Sequence, residues 1–128
     1  MQNDFSAPNG SLHVTGAADI IPGINALRQR ARFDVVVHSR DFHPANHCFF
    51  ADNNAGAPLF TEVQLRSDAR QTMWLRHSLQ HSWGSEFHPA LHVTLSDIVV
   101  RKGEHSDVDS YSALYDNGHV NHTELTTL

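Results

Sequence analysis

At 128 residues with 40% hydrophobic content, the chain can bury one real core and suits a single soluble domain. Nine Lys and Arg against fourteen Asp and Glu give a formal charge of −5, without the clustered positive surface that nucleic acid or an anionic membrane requires, so a small-molecule partner is expected. The single Cys48 excludes an intrachain disulfide framework; with no run resembling a signal peptide or long enough to span a bilayer, a reducing, cytoplasmic setting is expected.

In chain order, the turn-rich SAPNGS at 6–11 reads as a surface loop. Ile20, Ile21, Ile24, Leu27 and Ala31 recur at helical spacing, and Pro22 falls where a first turn tolerates it, so 18–31 is predicted to be an amphipathic helix whose apolar face needs a sheet. Phe33 to Val37 is a short continuous run of the kind found in strands covered on both faces, and Ile98 to Val100 is a second. Helix, strand, long loop and strand predict α/β architecture with parallel strands. Asp116-Asn117-Gly118 marks a turn, and His122-Thr123-Glu124-Leu125 reads as the start of another helix.

In open parallel sheets ligands collect beyond the carboxyl ends of the strands. There the chain places Asp41 and His43, in an irregular loop after the first run, and Lys102, after the second. Asp41 and His43 can bring a carboxylate oxygen and an imidazole nitrogen to one ion, and His77 from a separate loop can complete a facial set. Three such ligands leave positions open for water and substrate, which suits a catalytic divalent metal: Zn first, with Fe or Mn as alternatives. The competing reading is a set of solvated loop residues, since eleven histidines meet a D-x-H triplet easily.

Longer strings carry more. MQNDF at 1–5, SRDFHPANH at 39–47, MWLRH at 73–77, SEFHPAL at 85–91 and VVRKGEHSDVDSYSALYDN at 99–117 follow one another in an order that resembles the nicotinamidase/pyrazinamidase branch of the isochorismatase-like hydrolases. The resemblance implies a three-layer α/β/α fold with a mainly parallel sheet. It implies hydrolysis of nicotinamide to nicotinate and ammonia in NAD salvage, acting on nicotinamide or a close pyridine or pyrazine carboxamide. In that family a Cys thiolate, assisted by an Asp and a Lys, attacks the amide carbon, and the resulting thioester is hydrolysed by water from the metal site. Carried over by position, Lys102 matches the catalytic Lys, and Asp41, His43 and His77 match the metal ligands. Phe5 and Trp74 match aromatic residues lining the pyridine pocket, and His47 matches a position assisting the metal from just outside it.

Against the family pattern, the catalytic Asp falls two residues before Gln2, and the catalytic Cys in a strand-to-helix turn beyond the last string. Residues 1–128 are therefore expected to be one partial domain, incomplete at both ends and inactive by itself. The readings left open are a noncatalytic metal- or pyridine-binding remnant, or a fragment that pairs through an open sheet edge and self-associates. Cys48 reads as a small, partly buried side chain and Ser78 as a serine without a base, so neither replaces the nucleophile. Before the third metal ligand relatives carry Trp-Pro-Asp-His where this chain has Trp74-Leu75-Arg76-His77, which would weaken a metal if Arg76 pointed inward.

Overall fold

The computed structural model describes residues 1–65 and 70–128. Its elements are α1 (Asn3–Ser6), α2 (Ile21–Arg30), β1 (Val37–Asp41), β2 (Glu62–Gln64), β3 (Arg70–Thr72) and β4 (Ile98–Lys102), joined by loops and short 3₁₀ turns. β1 and β4 pair in parallel, from Val37 opposite Ile98 to Asp41 opposite Lys102, and β2 and β3 form a small antiparallel pair. The α/β architecture with parallel strands predicted from the sequence is therefore present.

Two of the sequence expectations need correction. The first strand does not occupy Phe33 to Val37: it begins at Val37 and runs on through His-Ser-Arg to Asp41, while Phe33 and Val35 stay exposed. Strand pairing is decided by the partner's register: Ile98 sits opposite Val37 and its N–H bonds the Val36 carbonyl at 3.0 Å, so the ladder starts there and Phe33 and Val35 lie before it. Asp41 is thus the last residue of its strand rather than a loop residue, and Lys102 ends the other strand. The second correction concerns the helix: Ala17–Ile20 form a 3₁₀ turn, and the α-helix starts at Ile21 with Pro22 in its first turn. Of its apolar stripe only Ile21 is buried, whereas Leu27 is 60% exposed.

Polar bonds fasten α2 instead. Arg28 donates to Asp97 Oδ1 at 2.5 Å and to Thr94 Oγ1 at 3.0 Å. The other Asp97 oxygen lies 2.9 Å from His38 Nε2 on β1. Asn25 bonds Ala90 and His92 on the same preceding turn. One buried carboxylate therefore ties α2, β1 and the turn that leads into β4.

The core combines Phe42, Phe49, Phe50, Met73 and Val100 with an unusual number of buried polar side chains. The stretch expected to be a surface loop is split accordingly: Ser6 and Ala7 are buried and Pro8 and Asn9 exposed. Gln2 explains much of this. Its amide nitrogen donates to the Asp41 carbonyl at 2.8 Å and to the Ser85 carbonyl at 3.1 Å, and its Oε1 accepts the Asp41 N–H at 2.8 Å. A side chain thus satisfies the backbone of the last β1 residue as a neighbouring strand would. Replacing Gln2 by Ala would strand those groups, and we expect urea unfolding to show a loss of about 1–3 kcal/mol; a loss below about 0.5 kcal/mol would mean that the clamp is dispensable.

Candidate active site

The parallel register sets the site, because it brings the final residues of β1 and β4 side by side. Lys102 Nζ lies 2.6 Å from Asp41 Oδ1 and donates a second bond, at 2.7 Å, to the Ser110 carbonyl. The other Asp41 oxygen is 3.6 Å from His43 Nε2. Burial opposes ionisation of Asp41, but His43 and the Lys102 ammonium outweigh it and hold the carboxyl at about 2.

Two histidines face this pair with their tautomers fixed by backbone. His43 Nδ1 donates to the Gly103 carbonyl at 2.9 Å, and His77 Nδ1 donates to the Leu75 carbonyl at 2.7 Å. Each therefore presents an Nε2 lone pair. Donor atoms of Asp41, His43 and His77 lie within 4.8 Å of one another, near enough to converge on one ion. His43 Nε2 is buried without a hydrogen-bond partner, a state a cation would relieve. Burial lowers the His77 pKa, favouring the neutral, ligating imidazole. On this donor set the residues fit a divalent cation.

Gly103 makes the His43 pose possible. Its φ is 66°, and a Cβ there would collide with the imidazole ring. His47 sits edge-on to His43 at 5.0 Å between ring centres, fully buried. Burial, then His43, pushes its pKa down to about 3.

Phe5, Leu12, Phe49, Trp74 and Tyr111 complete a cavity of about 180 Å³ over Asp41, His43, His77, Lys102 and Asp109. Phe5 is firmly placed, since α1 is anchored by Asn3 N–H to the Glu86 carbonyl at 2.9 Å and by Asp4, whose carboxylate accepts the Ser78 N–H at 2.7 Å. The Trp74 indole donates to Tyr111 Oη at 3.4 Å, placing the two rings on one wall. Arg76 points away: its guanidinium bonds Asp52, the Ala45 carbonyl and Asn53. The charge that would have opposed a cation is spent on the surface.

All the residues singled out in the sequence therefore meet around one cavity, with His47 immediately behind it. Sequence reasoning missed Gln2, Asp4, Gly103, Asp109 and Tyr111. The last two stand in the long string after Lys102, and Gly103 directly follows that lysine. Gln2 and Asp4 stand in the MQNDF string at 1–5, which does not reveal what they bond. Burial, then Asp109, pushes the Cys48 thiol up to about 11, so it is a poor nucleophile at neutral pH. Ser78 is fully buried and serves the framework by its backbone, giving its carbonyl to the His43 N–H at 2.9 Å.

No protein-family model matches the chain. It is 42% identical over 113 residues to the nicotinamidase of Acinetobacter baylyi, an alignment covering 88% of this chain and 51% of that one. With the Escherichia coli nicotinamidase the identity is 40% over 127 residues, 98% of this chain and 58% of the relative. The chain thus spans a little over half the length of these relatives. Among solved structures, an Acinetobacter baumanii nicotinamidase/pyrazinamidase superposes with TM-score 0.89 at 40% identity, over 98% of this chain and 59% of that one. Yeast nicotinamidase bound to the inhibitor nicotinaldehyde gives TM-score 0.89 at 30% identity, over 99% and 64%. A Pyrococcus horikoshii pyrazinamidase in complex with zinc gives 0.68 at 27% identity, over 99% and 57%. The resemblance to the nicotinamidase/pyrazinamidase branch of the isochorismatase-like hydrolases holds in sequence and in fold.

Two expectations follow from the geometry. Because the Asp41 pKa is depressed from 3.8 to about 2, its contribution to stability is present above about pH 4 and is lost as pH falls to about 2. In metal-free buffer the stability gap between wild type and Asp41→Asn, of order 2 kcal/mol, should close across that window in urea titrations; a gap that is constant with pH would refute the pairing. Gly103→Ala should destabilise the fold by at least about 1–2 kcal/mol from its left-handed backbone alone, read by thermal unfolding, and should weaken cation binding by displacing His43.

Proposed function

We propose that this chain supplies the cation- and pyridine-binding part of an amidohydrolase that converts nicotinamide and water to nicotinate and ammonia. The observation that carries the reading is the Asp41 carboxylate held between the Lys102 ammonium and the His43 imidazole, at the floor of an aromatic-walled cavity sized for one small ring. Phe5 and Trp74, with Tyr111, sandwich and orient the pyridine. Asp41, His43 and His77 hold the cation, for which zinc is the first choice, supported by the zinc-bound pyrazinamidase neighbour, with iron or manganese as alternatives. When bound, the cation supplies a Lewis acid that takes the pyridine nitrogen and polarises water. Lys102 presents a fixed positive charge to the reacting amide end. His47 supports His43 from behind through ring contact.

Turnover through a thioester needs a thiolate, and Cys48 is unsuited by its raised pKa. Residues 1–128 act, on this reading, as one partial domain that binds without hydrolysing, the nucleophile coming from sequence outside them. The exposed apolar Leu27, Phe33 and Val35 support self-association of the isolated chain.

Nicotinamide and nicotinate titrated into the zinc-loaded chain should quench Trp74 fluorescence, with at least tenfold weaker binding after EDTA. Ammonia release is expected from a version extended to the length of the relatives and not from the 128 residues. Turnover by the 128 residues would disprove the missing nucleophile, and failure of the extended protein to release ammonia would sink the assignment itself.

A further inference from the structure

Alternation along β1 and β4 sends the Arg40 and Arg101 side chains to the face opposite Asp41 and Lys102, and the register makes the two arginines direct neighbours. They line a cavity of about 680 Å³ that the proposed reaction leaves unused. Like charges opposed across neighbouring strands repel, and a shared anion is the partner that relieves both. Phe42 fixes the pair: the guanidinium carbon of Arg40 stands 4.9 Å from the centre of its ring and that of Arg101 4.4 Å. Sharing one ring keeps the two cations close enough for one tetrahedral anion to span.

Neither charge is well matched from within the chain. Among the described residues Arg40 makes no ion pair: Nη1 donates one long bond, 3.5 Å, to the Ser85 carbonyl, and Nε is buried without an acceptor. Burial, then Arg101, works against the Arg40 charge. Arg101 has Glu104 at 3.9 Å, a pair with both side chains about half exposed, which water screens. Lys102 also borders the cavity, but Asp41 and the Ser110 carbonyl already hold its ammonium. Phe87, Val93 and Val99 supply an apolar flank, and His122 and Glu124 line the cavity from the segment after Asp116.

We propose that this face binds a small phosphomonoester, its phosphoryl group spanning Arg40 and Arg101 and its uncharged body lying against Phe87, Val93 and Val99. Each arginine presents a planar fork of donors to the phosphoryl oxygens, and a dianion balances two guanidinium charges where a carboxylate balances one. Glu104 yields Arg101 readily, its pairing being long and exposed. Glu104 and Glu124 also limit the ligand, because a second anionic group would meet their carboxylates. A neutral carboxamide gives the arginines no charge to grip, so this face is not a second site for nicotinamide. Nothing in it depends on amide hydrolysis.

The test is calorimetric titration of phenyl phosphate into the full chain stripped of metal, where the Asp41 carboxylate repels a dianion from the other cavity. One equivalent should bind, and Arg101→Gln should weaken it at least tenfold. Arg101→Lys keeps the charge but loses the fork, and should stay about threefold or more below the wild type. Arg30→Gln removes the same charge from exposed helix surface and should leave binding unchanged. Benzoate and inorganic phosphate, one lacking the second charge and the other the apolar body, should each bind more weakly than the ester. No binding by the wild type, unchanged binding by folded Arg101→Gln, an equal loss in Arg30→Gln, or benzoate or inorganic phosphate matching phenyl phosphate would each overturn the proposal. Circular dichroism melts establish that each variant is folded, and Arg40→Gln repeats the test from the other strand.

Discussion

The register between β1 and β4 is the constraint on which the rest of this structure depends. A one-residue slip would separate Asp41 from Lys102 and turn alternate side chains to the opposite face. The ion pair costs desolvation at both partners, and it persists because each also has other bonds: Lys102 to the Ser110 carbonyl, and the Asp41 backbone to Gln2. The charge pair and the strand register therefore support each other. His43 follows two residues after Asp41 and is held over the pair by the glycine that comes directly after Lys102, so both strand ends contribute to one small volume.

Around that centre, polar side chains do much of the fastening that apolar layers do in a larger sheet. Asp97 joins α2 to β1, Gln2 closes the end of β1, and Asp4 holds the loop carrying His77. Such bonds are directional and short-ranged, so they place functional groups accurately while burying little hydrocarbon. The exposed stripe of α2 and the uncovered Phe33 and Val35 are the counterpart of this economy.

The sequence was most legible where chemistry and chain order coincide. A helix inside 18–31, though not its start, the second strand and the cavity around Asp41, His43, His77, Lys102, Phe5 and Trp74 could be anticipated from spacing and ordered strings. The first strand was misplaced because a run of apolar residues was read as paired, whereas pairing is set by a partner far along the chain, Ile98 for Val37. The roles of Gln2 and Asp4, both inside the MQNDF string, were hidden for a related reason: a buried polar side chain is recognised by the groups it bonds, and Asp41, Ser85 and Ser78 all lie far away in sequence. The Arg76 outcome turned on Asp52 and Asn53, again remote partners.

His77 owes its orientation to the main-chain oxygen of Leu75, not to any side chain in the loop. An acceptor of that kind survives nearly every replacement at its own position, so evolution is free to rewrite residues 75 and 76 without disturbing which nitrogen the imidazole offers. The Leu75 side chain and the outward-turned Arg76 thus leave the presentation of the ligand unchanged.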